Sequence, residues 1–229
     1  MKTLLTGLIL LTLNFLTAKP IELNDAIAQK LVFVKTVGEG GHQGKVLKIS
    51  LENLTKKDLQ IKIPPGQIFH SQDSAFQDLM NVKGKLLAME KGQKRIAKLN
   101  TVCIQASNFS PDVGAVFNIG ALATGALLEV ANFIFQNGLF EEKAAQSAVW
   151  AVTDGHRLET VNHPELAKFT AKALGIAPPT YNITLQNRTI PGMPAFEYAP
   201  ATLEGVFEYY LDRDEQVDFG LYNASGELV

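Results

Sequence analysis

The sequence predicts an α+β protein: an N-terminal antiparallel β-sandwich of immunoglobulin-like type, a small three-helix middle segment packed on it, and a short C-terminal β segment. Three observations carry this. Between about Ala28 and Ile104 apolar residues recur at every second position with turn signals at short intervals; after Ser110-Pro111 the period becomes helical; beyond Pro178-Pro179 it returns to two. With 229 residues and 46% hydrophobic content, the chain is long enough to stabilise a core without crosslinks.

The elements follow in order. Lys2 precedes an apolar run, Leu4 to Leu16, which ends at Ala18 before Lys19-Pro20. This is the pattern of a signal peptide over residues 1–18, too short for a comfortable membrane span of about 20 residues. The sandwich is assigned to residues 19–112. Leu47, Ile49 and Leu51 alternate with polar residues, an NLTKKD turn follows, and Leu59, Ile61 and Ile63 alternate again, so the pair reads as a hairpin. Pro64-Pro65-Gly66 forces a corner. Shorter strands are expected around Ile68-Phe69, Leu79 to Val82 and Leu86 to Met89, and a long one from Gln93 to Ile104. The glycine-rich tract Gly38 to Gly44 lacks a following helix and a Lys-Ser/Thr pair, so it reads as a flexible hairpin loop and not as a phosphate cradle.

The helical segment is assigned to residues 113–177. Ala121 to Gln136 is apolar on almost every side and predicts a buried helix stopped by Asn137-Gly138; polar residues in and just before it, Asn118, Thr124, Glu129, Asn132 and Gln136, argue against a membrane span. A second helix is expected from Glu141-Glu142 to Gly155, and a third from about Pro164 to Leu174 with Asn162 as its cap. The C-terminal β segment, residues 178–229, should hold strands around Tyr181–Leu185, Phe207–Leu211 and Val217–Leu221. Its last 25 residues or so, GVFEYYLDRDEQVDFGLYNASGELV, resemble the immunoglobulin-like end modules of secreted bacterial proteins; those have further strands, so the resemblance implies either an incomplete module or one without their sorting role. Five N-x-S/T sequons, at Asn53, Asn108, Asn182, Asn187 and Asn223, would mark exposed loops or strand ends in a glycosylating host.

The formal net charge is -2, one unit more negative once Lys2 is removed, and the cations are scattered. A nucleic acid or an anionic membrane as partner demands a basic patch, so both are excluded, and the partner expected is an extracellular protein or glycan. No cofactor is expected. His42, His70 and His163 show no metal-ligand spacing.

Chemistry centres on the single cysteine, Cys103, which cannot form an internal disulfide. Strand alternation places it with Ala97, Leu99 and Thr101 on the less charged face, pointing inward. On the second helix Gln146, Trp150 and Thr153 lie at i, i+4 and i+7, so the amide and the only tryptophan share a face. Free cysteine is among the most buried residue types, and packing alone accounts for these residues. Two functional readings stand beside it.

QSAVW, Gln146 to Trp150, and VCIQ, Val102 to Gln105, resemble the thioester domains of Gram-positive surface adhesins. The resemblance implies that Cys103 accepts the acyl group of Gln146 with loss of ammonia, that Trp150 shields the resulting thioester, and that a partner nucleophile attacks it. Ala145 stands where threonine is usual in that family and Val102 where an aromatic is usual. The other reading pairs Cys103 with His156 as base and Asp154 as orienting carboxylate. Together these observations describe a secreted or cell-surface, non-catalytic binding or adhesion protein, with a covalent adhesin and a cysteine-dependent enzyme as the alternatives.

Overall fold

A computed structural model of the chain describes residues 19–185, 201–206, 216–223 and 225–228. The expected signal peptide, Asn187 and the strand expected at 207–211 lie outside them. The expected sandwich is not formed. Six antiparallel strands close into a barrel, in the order β2 (Val32–Glu39), β3 (Gln43–Asn53), β8 (Lys94–Cys103), β6 (Leu79–Asn81), β5 (Gln67–Ser71) and β9 (Val113–Leu122). A separate small sheet holds β1 (Ile21–Glu22), β4 (Leu59–Ile63) and β7 (Lys85–Met89), with β1 parallel to β4. The expected Leu47-to-Ile63 hairpin is therefore split: its first strand is in the barrel and its second in the small sheet.

Closure depends on β9, a strand where the sequence reading expected the helical segment to begin. Its residues pair with β2 on one side and β5 on the other. Bulges interrupt the ladder between Val37 and Glu39, between Gly44 and Leu47, and between Gln67 and Phe69. Each adds local twist and bend, which rolls a sheet toward closure and away from a flat two-layer stack. The Thr36 hydroxyl, inside the barrel, donates to the carbonyl of Phe117 at 2.6 Å and fastens the β2–β9 seam.

Two cores result. One gathers the inward residues of β3 and β8, among them Leu47, Ile49, Leu51, Leu99 and Cys103, with Leu59, Ile61, Leu87 and Met89 of the small sheet. Leu23 and Ala26 of a short helix, α1 (Leu23–Ala28), join them. The other lies between the outer face of β6 and β8 and three helices, α2 (Gly125–Gln136), α3 (Lys143–Thr153) and α4 (Pro164–Leu174). Val102 belongs to the helix side and Cys103 to the barrel side, so the last residues of β8 are buried on both faces. A sandwich strand buries only one. Runs without alternation, such as Leu79-Met80-Asn81, have this origin.

Helix limits differ by a few residues from the expectation. α2 starts at Gly125 and not Ala121, because Val113–Leu122 is strand. α4 is capped by His163 and not Asn162: Leu166 N–H donates to His163 Nδ1 at 3.2 Å, Pro164 opens the first turn, and Gly175 ends the helix at φ 70°. No described helix is long and apolar enough to cross a membrane. In the C-terminal part, β10 (Tyr181–Leu185) pairs with β11 (Ala201–Gly205) in a two-stranded antiparallel sheet. Val217–Leu221 forms no strand; a single bridge, Tyr222 with Leu228, spans the turn at Asn223. One sequon also departs from expectation. Asn53 ends β3 with its amide inside, donating to the carbonyls of Lys57 (2.8 Å) and Glu90 (2.9 Å).

Candidate functional site at the end of strand β8

The β3–β8 ladder ends at Gln43 opposite Val102, beyond the bulge. The backbone of Cys103 then faces the β3 side with no strand residue to receive it. His42, in the hairpin tip, offers its carbonyl to Cys103 N–H at 3.2 Å. Gln146 supplies the rest. Its Oε1 accepts from Cys103 N–H at 2.8 Å, and its Nε2 donates to the carbonyl of Cys103 at 2.8 Å. A side-chain amide thus completes the rung that a strand residue would otherwise form. Both groups are inside the protein, Cys103 fully and Gln146 with 3% of its surface exposed.

The amide reaches this position because Gln146 lies in the first turns of α3, flanked by Ala144, Ala145, Ala148 and Ala151, all buried. Small side chains let the helix approach the strand closely. The N-terminal end of α3 is tied to the same hairpin tip, where Gln43 Nε2 donates to the carbonyl of Glu142. One turn beyond Gln146, Trp150 packs against the barrel core that includes Cys103. Its indole Nε1 is buried without a hydrogen-bond partner, and the ring of His156 lies against it at 5.6 Å between centroids. Burial pushes the Cys103 thiol up to about 12, so it is neutral and a poor nucleophile by thiolate content.

Beyond Cys103, residues 104–109 are held from two sides. On the barrel side, Ile104 N–H donates to the Asp78 carbonyl at 3.0 Å and Gln105 Oε1 accepts from Asp78 N–H at 2.7 Å. Asp78 Oδ2 pairs with His70 Nδ1 at 2.7 Å, and Gln77 Nε2 donates to the carbonyl of Asn108 at 2.6 Å. On the helix side, Asp154 Oδ1 accepts from Ala106 N–H at 2.9 Å. The end of β8 is therefore fixed between β5–β6 and α3.

Of the residues singled out in the sequence, Cys103 and Gln146 are in direct contact and Trp150 belongs to the same core. Asp154 does not orient His156: its other oxygen accepts from the Thr153 hydroxyl at 2.6 Å, and His156 packs on Trp150. The Cys103–His156–Asp154 relay is not assembled. The His70–Asp78–Gln105 cluster and Gln77 were missed, because the group joins a strand residue, His70, with Gln77 and Asp78 from the irregular stretch before β6 and Gln105 from beyond β8, and no periodicity links them. Among the described residues no group of three His, Cys, Asp or Glu side chains is arranged to hold a metal ion. Surface hollows of about 540 and 650 Å³ lie around α4, Pro178 and Pro179, and neither Cys103 nor Gln146 lines them. Compared with protein-family models, with characterised proteins and with solved structures, the chain matches none.

Proposed function

We propose that the chain is an extracytoplasmic binding module that fixes its target covalently, through an internal thioester between Cys103 and Gln146. The observation that carries this reading is the pair of 2.8 Å hydrogen bonds holding the Gln146 amide against the Cys103 backbone. They select one orientation of the amide against the residue that bears a buried thiol, which replaces a diffusive encounter by a fixed one. The first 18 residues support export.

The reaction balances within the site. The Cys103 sulfur bonds to Cδ of Gln146, the Cδ–Nε2 bond breaks, and the thiol proton leaves with the nitrogen as ammonia. No oxidant or metal is consumed; the thiol is held neutral by burial, so its proton must pass to the departing nitrogen as the sulfur adds. The surrounding apolar side chains, including Trp150, keep water from the thioester until a nucleophile on an extracellular protein or glycan reaches it.

Intact mass spectrometry of the purified chain tests this. A mass lower by one ammonia, full mass in Cys103→Ala and in Gln146→Ala, and addition of methylamine to the unsubstituted chain alone are expected. Full calculated mass together with one titratable thiol overturns the covalent reading and leaves non-covalent binding.

A further inference from the structure

Resting on the thioester reading above, we propose that the backbone N–H of Cys103 itself is the oxyanion donor for the reaction at Gln146. In the resting amide the donor is already in place, Cys103 N to Gln146 Oε1 at 2.8 Å, so that it is the nearest donor to the oxygen on which charge would collect. The nucleophile's own peptide N–H can fill this role, since it and the side chain address the same carbonyl from one residue.

The direction of approach fits. Both hydrogen bonds between Gln146 and Cys103 run through backbone groups, and so lie along the ladder. A strand side chain leaves the ladder roughly perpendicular to it. The Cys103 side chain therefore leaves to one side of the plane that holds the two hydrogen bonds, and the sulfur would add to the carbonyl carbon from that side while Oε1 stays with its donor. As the sulfur adds and negative charge collects on Oε1, the N–H contact strengthens in a water-free setting, where such a bond is worth most. The N–H has a second acceptor, the His42 carbonyl, at the longer distance of 3.2 Å. That weaker contact yields as the charge develops. The other half of the pairing, Nε2 to the Cys103 carbonyl, fixes which atom departs. Once ammonia has left, the same N–H polarises the thioester carbonyl, so formation and later attack share one donor.

Two measurements on the full chain test the role. In the first, glutamine carries 13C at its side-chain carbonyl and the infrared stretch of the thioester is recorded; a frequency below that of a small thioester in a solvent without hydrogen-bond donors is expected. In the second, a semisynthetic chain carries the α-hydroxy analogue of cysteine at position 103, so that an ester oxygen replaces the N–H and the thiol is kept. Thioester formation on refolding, and methylamine uptake, should fall by about 10²- to 10³-fold. A thioester present by mass with an unshifted stretch, or with rates unchanged in the analogue, overturns the donor role and leaves the thioester reading standing. Full mass with a free thiol in the unsubstituted chain overturns both. Should the analogue fail to fold, the stretch alone decides.

Discussion

Replacing Gln146 by glutamate asks how much of this site is hydrogen bonding, and pH supplies the control. The substitution Gln146→Glu is best made in a Cys103→Ala background, which keeps both backbone partners and removes the thiol. The introduced carboxylic acid, when protonated, is nearly isosteric with the amide: its carbonyl oxygen accepts from N–H of residue 103 and its O–H donates to the carbonyl at the 2.8 Å position now held by Nε2. Once ionised, the carboxylate can only accept, and it sets a charge beside an unpaired carbonyl in a site with 3% exposure. The folded protein therefore favours the protonated form, and the new carboxyl titrates above the ordinary value of about 4.3. Below that value both folded and unfolded chains are protonated, and the variant should match its background. As pH rises above it, the unfolded chain ionises first and stability falls by about 1.4 kcal/mol per pH unit, until the folded carboxyl also ionises. A buried charge left without its partner costs roughly 3–5 kcal/mol in total. Urea unfolding from about pH 3.5 to 8, with the slope held common, reads this difference. A difference between variant and background that does not change with pH would refute the assigned pairing.

The free thiol, where present, makes its own pH prediction. Its folded value of about 12 lies above the unfolded one, so its contribution is intact below about pH 9 and is lost as pH rises toward 12; in a thioester the group does not titrate, and alkaline unfolding of the unsubstituted chain and of Cys103→Ala should then run parallel. Asn53→Ala removes donors to Lys57 and Glu90 and an acceptor for Thr55 N–H, and should cost about 2–4 kcal/mol by chemical unfolding; a loss under about 0.5 kcal/mol would contradict the burial of its amide. In Gly120→Ala the new Cβ would fall 2.6 Å from His70 Nε2, so the ring must move off Asp78; the His70 ring resonances should shift by NMR, and an unchanged spectrum would show that β9 yields instead.

The period-two pattern located most barrel strands, and residues that alternate cleanly, such as Leu47 to Leu51, were read correctly as half-buried. Where the pattern fails, the cause is burial on both faces. Leu99 to Cys103 is buried throughout, with Val102 facing the helices and Cys103 the barrel, so no alternation signals which side is core. β9 was missed for a related reason: its small residues, Gly114, Ala115 and Gly120, weaken the strand signal, while its role in closure depends on pairing with β2 and β5, which precede it by many residues. Bulges, which turn a potential sandwich into a barrel, have no fixed residue signature. Cys103 and Gln146 were legible as candidates, because strand parity and helix spacing each fix a direction within one element. The hydrogen bonds between them were not, since they depend on where the β3 ladder stops.

That stopping point links structure and chemistry. A ladder that ends between two cores leaves an N–H and a carbonyl where water does not reach, and each must find a protein partner or cost about 1–3 kcal/mol. A side-chain amide answers both demands at once, because it carries a donor and an acceptor side by side. The geometry that satisfies Cys103's backbone also holds the Gln146 amide against the residue that carries the thiol. The two roles therefore separate by substitution. Cys103→Ala removes the thiol and leaves the rung intact, so it should abolish methylamine uptake while changing stability chiefly by its lost packing. Gln146→Ala removes both and should lose uptake and stability together. If the two variants were equally destabilised, the rung would not be carrying the weight assigned to it, whatever the fate of the thioester.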